Sequence, residues 1–337
     1  MLNTKMWGRA LQTIPRISKE EWDSLDVISR WLISTRAAVL IMTFISGLLG
    51  GLLAWFYGSF SWSRFLVALF GITFAHAANN LINDYIDHKR GVDKGNYYRS
   101  LYGPQPLEHG YMTVRQHLTY FGVTLLVALA AGFYLYLQTD VRTLLLMAAG
   151  LFFLFFYTWP LKYIGLGEPT VVLVWGPLMI GGTYFVVTGG DWNWNVIWLA
   201  LVYAIGPTTV LFGKHTDKLK QDKAKRVYTL PVIMGESIAR NSALFVWVLQ
   251  YVFIIWFIYK GILGWPMLIV LLAIPKLAWA WKTFSKKRPE EAPADAIPNT
   301  WPLYLSHHAF LYNKRFSLLF LAGLILETVL TKTGFLM

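Results

Sequence analysis

Long apolar runs separated by short polar connectors dominate the chain. They lie near 31–57, 63–85, 114–137, 141–157, 169–189, 194–213, 239–260, 264–281 and 316–333, and within each the apolar residues are continuous instead of alternating. A helix needs about 20 such residues to cross roughly 30 Å of hydrocarbon. A membrane β-barrel would instead show segments of about ten residues with alternating polarity. The pattern therefore predicts an all-α, polytopic membrane protein with nine transmembrane helices. Residues 1–29 form an N-terminal cytoplasmic segment and 30–337 the membrane domain. The polar, Pro-rich stretch at about 285–312 is the longest loop, expected to be mobile or to pack over the inner mouth of the bundle. The first 26 residues lack a short apolar core with a small-residue cleavage site, so the first span is expected to direct insertion.

Composition sharpens this picture. Of 337 residues 56% are hydrophobic and 14% charged, against roughly 25% charged in soluble domains, which excludes disorder, a coiled coil and an ordinary soluble enzyme. With no cysteine, a disulfide framework, cysteine-ligated zinc and iron–sulfur clusters are excluded as well. Basic loops stay cytoplasmic. If the N-terminus and the connections after the second, fourth, sixth and eighth spans share one side, that side holds 25 of the 30 basic residues. The N-terminus is then expected inside and the C-terminus outside, and the net charge of +12 faces the inner leaflet, where it either attracts anionic membrane lipid as a partner or serves only as a topology signal. Because these basic residues flank spans, no nucleic acid partner is expected.

Two polar clusters interrupt the apolar pattern. Ionisable groups inside spans are expensive and usually mark a pathway or site. The first cluster, AHAANNLINDYIDHKRGVD from Ala75 to Asp93, places Asn79, Asn83 and Asp87 on one helical face and His76, Asn80 and Asp84 on an adjacent stripe. An ordinary helix end needs one such residue, yet here five fall within the nine positions from Asn79 to Asp87. Hard oxygen donors with few carboxylates suit Mg²⁺ bound together with a phosphate group. The second cluster, GKHTDKLKQDKAKRVYTLPVIMGE from Gly213 to Glu236, interleaves Asp217 and Asp222 with Lys214, Lys218, Lys220, Lys223, Lys225 and Arg226. Carboxylates there could hold a metal while the cations hold the phosphate oxygens that it bridges. By charge both clusters are cytoplasmic, which favours one shared site. A phosphate loop is disfavoured, since six residues separate Gly206 from Gly213 and His215 follows Lys214. No HExxH pattern occurs, which disfavours a zinc hydrolase. The many aromatic rings read mainly as packing and interfacial belts.

At these residues the sequence resembles the UbiA superfamily of intramembrane aromatic prenyltransferases, and within it the 1,4-dihydroxy-2-naphthoate polyprenyltransferase branch. NDYIDHKRGVD (Asn83 to Asp93) is similar to that branch's first Asp-rich motif. The stretch from Phe156 to Gly189 resembles the same branch with Tyr157, Lys162, Gly165, Gly167 and Glu168 in register, and TLPVIMGE (Thr229 to Glu236) resembles the sequel of its second motif. The likeness covers roughly 30–335. It implies nine helices around a central cavity, with a polyprenyl diphosphate held through Mg²⁺ at the cytoplasmic mouth. It further implies metal ligation by Asn83, Asp87, Asp222 and, less regularly, Asp217. Diphosphate contacts would come from Lys162, Lys214, Lys218, Arg226 and Arg99, and an acceptor pocket from Arg36, Asn80 and Tyr157. Asp84, Asp87, Asp93 and His215 would act in catalysis, the base being one of Asp84, Asp93 and His215.

Two positions depart from that pattern. The branch has two Asp four residues apart in its second motif, but Lys218 stands at the earlier position, and Asp217 lies about 140° around a helix from Asp222. Gln105 in QPLEHGYMT stands where many relatives carry arginine. The implied activity is transfer of a polyprenyl group to an aromatic acceptor such as 1,4-dihydroxy-2-naphthoate. Alternatives are another acceptor (4-hydroxybenzoate or a chlorophyll-type ring), cyclisation of the prenyl chain, or a secondary transporter using the same carboxylates. Transporters place such groups near the bilayer midplane, whereas both clusters here fall at helix ends.

Overall fold

A computed structural model describes residues 2–95, Tyr98, 104–294 and 300–335. The helices are α1 (Thr4–Gln12), α2 (Lys19–Ser24), α3 (Val27–Ser34), α4 (Ala37–Phe56), α5 (Trp62–Lys89), α6 (Val114–Leu137), α7 (Val141–Phe156), α8 (Gly167–Thr188), α9 (Trp194–Asp217), α10 (Leu219–Ala224), α11 (Leu230–Met234), α12 (Glu236–Tyr259), α13 (Trp265–Phe284, opening with a 3₁₀ segment) and α14 (Tyr304–Lys332). Among the described residues there is no strand, only one isolated bridge between Ile164 and Tyr228. Among the described residues eight helices are long and apolar enough to cross a membrane. The expected ninth, α7, has 16 residues, which at 1.5 Å per residue spans only about 24 Å.

The last helix departs further from expectation. It begins at Tyr304 instead of near 316, so a third of the expected loop is helix. Apolar periodicity missed this turn-rich start because its N-terminal amides are satisfied from outside. No side chain of its own segment caps it; Asp217 does so instead, accepting from the N–H of Leu305 at 3.0 Å and of Ser306 at 2.9 Å. Such orphan N–H groups at a helix start require partners and favour negative charge.

The chain divides into two compact units, one of residues 1–44 and 66–159, the other of 45–65 and 160–337. In the first, the N-terminal segment is helical and packed: Met6, Ala10, Trp22, Leu25, Leu32 and Ile33 cluster with Ala77 and Met112. Asp26 ties this segment together, accepting from the Asn3 N–H, the Trp7 indole and the backbone at the start of α3. In the second unit α9 is the centre, and small residues let its neighbours close in. A Cβ on Gly206 would fall 1.9 Å from Asn313 Oδ1, and one on Gly213 2.7 Å from the Ser306 nitrogen. Within a bilayer, close packing and interhelical hydrogen bonds replace the hydrophobic drive. Trp247 donates to Thr209 at 2.9 Å, Gln250 to the Val202 carbonyl at 3.1 Å, and Tyr312 to Gln250 at 3.1 Å.

Candidate functional site

In the first unit the polar cluster lies on the final turns of α5, whose C-terminus closes with Gly91 at φ +68°. The Val92 N–H reaches the Asp87 carbonyl at 3.0 Å and that of Gly91 the His88 carbonyl at 3.0 Å. This left-handed closure needs glycine and turns the chain out of the helix before Asp93, which is buried. Carboxylates at this end sit at the negative pole of the helix dipole, where they demand a cation.

The two helical stripes expected from spacing face different neighbours. Along the first, Asn79 donates to the Leu154 carbonyl at 3.1 Å, and Asn83 donates to Asn79 at 2.9 Å. The Thr158 hydroxyl donates to the Asn83 side-chain oxygen, and Asp87 continues the row. Along the second, His76 meets Thr43 at 2.7 Å, and Asn80 donates to the Thr35 carbonyl at 2.8 Å. Arg36 Nη2 contacts Asn80 at 3.3 Å and pairs with Asp84 at 3.1 Å. Arg36 holds a left-handed backbone, φ 55°, which costs a non-glycine residue energy and persists only where its surroundings fix it. Here the fixing is the link to the second stripe. Asp84 is thus neutralised by Arg36, while Asn83 is oriented by Thr158. Tyr157, half-buried, caps α7 just before Thr158. Arg99 lies outside the described residues. Gln105 is buried, and its amide nitrogen has no partner among the described residues.

In the second unit the structure gathers residues far apart in sequence. Lys162 sits on the 3₁₀ turn Leu161–Tyr163, and the Ile164–Tyr228 bridge ties this turn to the segment leading into α11. A Cβ on Gly167 would lie 3.7 Å from Lys162 Cα and 3.9 Å from the His215 ring. Glu168 Oε1 meets His215 Nδ1 at 2.7 Å. Lys218 pairs with Asp222 at 3.1 Å, both largely buried. The second oxygens of Asp222 and Glu168 and the Thr229 hydroxyl are buried with no partner among the described residues. Lys214 is half-buried, and Arg226 is exposed on a left-handed backbone at φ 58°.

Asp217 has a structural role that its spacing from Asp222 does not show. α9 ends at Asp217 and α10 starts at Leu219, so the helix breaks between the two expected ligands. Besides capping α14, Asp217 binds Arg288 at 3.0 Å, and Arg288 also donates to the Pro302 carbonyl at 2.9 Å and, through its backbone, to Glu236 at 2.7 Å. A carboxylate with both oxygens used this way staples the loop and the last helix. Glu168, by contrast, was visible in sequence only as a residue in register. Its signal was an acid just inside an apolar run.

Among the described residues no three carboxylate or imidazole groups converge. A divalent ion here would take one or two protein oxygens and complete its shell from phosphate and water, the habit of Mg²⁺. The oxygens of Asn83 and Asp87 in one unit, and in the other the Asp222 oxygen that has no partner among the described residues, are the donors that could take that role.

The profile of the UbiA prenyltransferase family matches residues 41–307. The chain is 26% identical over 256 residues to 1,4-dihydroxy-2-naphthoate octaprenyltransferase of Bacillus subtilis, covering 74% of this chain and 80% of that one. It is 24% identical over 220 residues to the UbiA prenyltransferase domain-containing protein 1 homolog of Drosophila melanogaster, covering 62% of this chain and 59% of that relative. The fold is similar to that of digeranylgeranylglyceryl phosphate synthase, with a TM-score of 0.60 at 18% identity over 92% of this chain and 99% of that one. It is also similar to a UbiA homolog from Archaeoglobus fulgidus bound to DMAPP and Mg²⁺, with a TM-score of 0.54 at 18% identity over 86% of this chain and 98% of that one. With its apolar helices and a match spanning most of its length, the chain is an integral membrane protein belonging to the UbiA prenyltransferase family.

Proposed function

We propose that this prenyltransferase moves a polyprenyl group from its diphosphate to a hydroxylated aromatic acid, a quinone precursor of the 1,4-dihydroxy-2-naphthoate kind. The observation that carries the reading is the likeness to the Bacillus naphthoate octaprenyltransferase over 74% of the chain. The lysines Lys162 and Lys218, set near buried oxygens that have no partner among the described residues, support it.

Asn83 and Asp87 in the one unit, and Asp222 in the other, would each offer oxygens to Mg²⁺, which when bound would offset the charge that develops on the departing diphosphate. Lys162, Lys214 and Lys218 supply direct charge-assisted contacts to the phosphate oxygens, with Arg226 at the exposed edge. Such fixed donors aimed at developing charge are a large source of rate enhancement. The bond from the allylic carbon to oxygen lengthens, its electron pair stays with the diphosphate, and the electron-rich ring attacks the carbon. Apolar spans keep water from the cationic carbon. The chain works with its N-terminus and both polar clusters facing the cytoplasm, as the distribution of basic residues requires.

Purified protein in lipid nanodiscs, given Mg²⁺, a panel of prenyl diphosphates and a panel of hydroxylated aromatic acids, should form a prenylated aromatic product detectable by mass spectrometry. Transfer to no aromatic acceptor, or solute flux in proteoliposomes lacking any prenyl donor, would overturn the reading.

A further inference from the structure

Glu168 and His215 form a carboxylate–imidazole pair whose joint role the acidic motifs do not explain. Glu168 stands two residues into an apolar helix, and both residues are almost sealed, at 1% and 3% exposed. Burying an acid inside a membrane helix is costly unless it is paired or used. Glu168 Oε1 accepts the Nδ1 proton of His215 at 2.7 Å, while its other oxygen has no partner among the described residues. Holding that proton on Nδ1 leaves the lone pair on Nε2. No hydrogen bond occupies this nitrogen among the described residues, and it is not one of the sealed polar atoms. The pair lies beside the Lys162 turn, as the distances from Gly167 to Lys162 and to the imidazole show. Asp84, another base suggested by sequence, is tied to Arg36 at 3.1 Å.

We infer that His215 Nε2 is the base that takes the acceptor's hydroxyl proton, and that Glu168 is a positioning residue fixing the imidazole's tautomer and orientation. The inference rests on the aromatic-acceptor reading above. As the proton passes to Nε2, the ring carbon bonds to the allylic carbon, and the carbon–oxygen bond breaks with its electron pair leaving on the diphosphate. The ring then loses the proton at the substituted carbon, the oxygen regains one, and one proton per turnover leaves with the diphosphate. The imidazole returns to neutrality, still held by Glu168. Carboxylate orientation of a histidine base recurs on unrelated folds because the geometry itself supplies the advantage.

The test uses the full chain in nanodiscs and two readouts. For transfer, His215→Ala should lower kcat by about 10²–10⁴, the usual share of a general base, with KM for the prenyl diphosphate unchanged and partial recovery on adding free imidazole. Glu168→Gln should lower kcat at least about tenfold and Glu168→Asp should restore much of it. For binding, with the prenyl donor left out, a bound hydroxynaphthoate should absorb as its phenolate in the wild type and as the neutral phenol in His215→Ala and Glu168→Gln. If the wild type transfers to no aromatic acceptor, the functional reading fails and the pair's role with it. If transfer and absorption are unaffected by both substitutions, or only KM changes, the pair alone is refuted and the functional reading stands.

Discussion

The two acid-bearing helix ends are built differently. At the end of α5, Asn79, Asn83 and Asp87 form a row of oxygen donors, oriented from behind by Leu154 and Thr158, and the counter-cation Arg36 is spent on the neighbouring stripe at Asp84. At the end of α9 the acids are neutralised locally, Asp217 by Arg288 and the amides of α14, Asp222 by Lys218 four residues away. The first end sets amide and carboxylate oxygens in a row along one helical face; at the second, Arg288 and Lys218 hold the acids. Counting carboxylates in a motif therefore misjudges its charge, because what matters is which oxygens the fold has already used.

The most damaging way to break this contrast is at Asp87. Asp87→Asn keeps the shape and removes the charge at the negative end of α5. Mg²⁺-dependent transfer should fall by at least about 10²–10³, the scale on which a fixed electrostatic stabiliser acts, with thermal stability nearly unchanged. Full activity in this variant would remove the first end from the site.

Asp217 should behave in the opposite way. Breaking a buried ion pair by removing one partner costs about 3–5 kcal/mol, and Asp217→Asn also weakens the hydrogen bonds at the start of α14. A lower midpoint of thermal unfolding in detergent is expected, while the folded fraction retains transfer and its Mg²⁺ requirement. Loss of the Mg²⁺ response without loss of stability would restore Asp217 as a ligand.

These cases show what the sequence could and could not disclose. Continuous apolar runs revealed the all-α membrane fold, and spacing of four placed Asn79, Asn83 and Asp87 on one face, because both depend only on helix geometry. Spacing alone could not tell that the neighbouring stripe ends on Arg36, since that partner lies 48 positions before Asp84. Spacing made Asp217 an irregular ligand but could not show its partners Arg288, Leu305 and Ser306, which lie far along the chain in a stretch read as loop. Glu168 escaped for the same reason: its meaning comes from His215, 47 residues away.

Lys218 offers the smallest effect and the finest distinction. Its ammonium is 3.1 Å from one Asp222 oxygen while the other oxygen is buried without a partner, so it can neutralise Asp222 and still donate to an anion, having three N–H donors. A hydrogen bond to a charged group is worth about 1.5–3 kcal/mol, or roughly 10- to 100-fold in affinity. Lys218→Met should therefore weaken binding of inorganic pyrophosphate by that factor when EDTA removes all divalent ions. The same substitution strips Asp222 of its cation, so Mg²⁺ should restore much of the lost affinity, and the variant should depend on Mg²⁺ more steeply than the wild type in isothermal titration. Unchanged metal-free binding would mean that Lys218 serves Asp222 alone. The second helix end would then be neutral scaffold, and the contrast with α5 would become one between a site and its support.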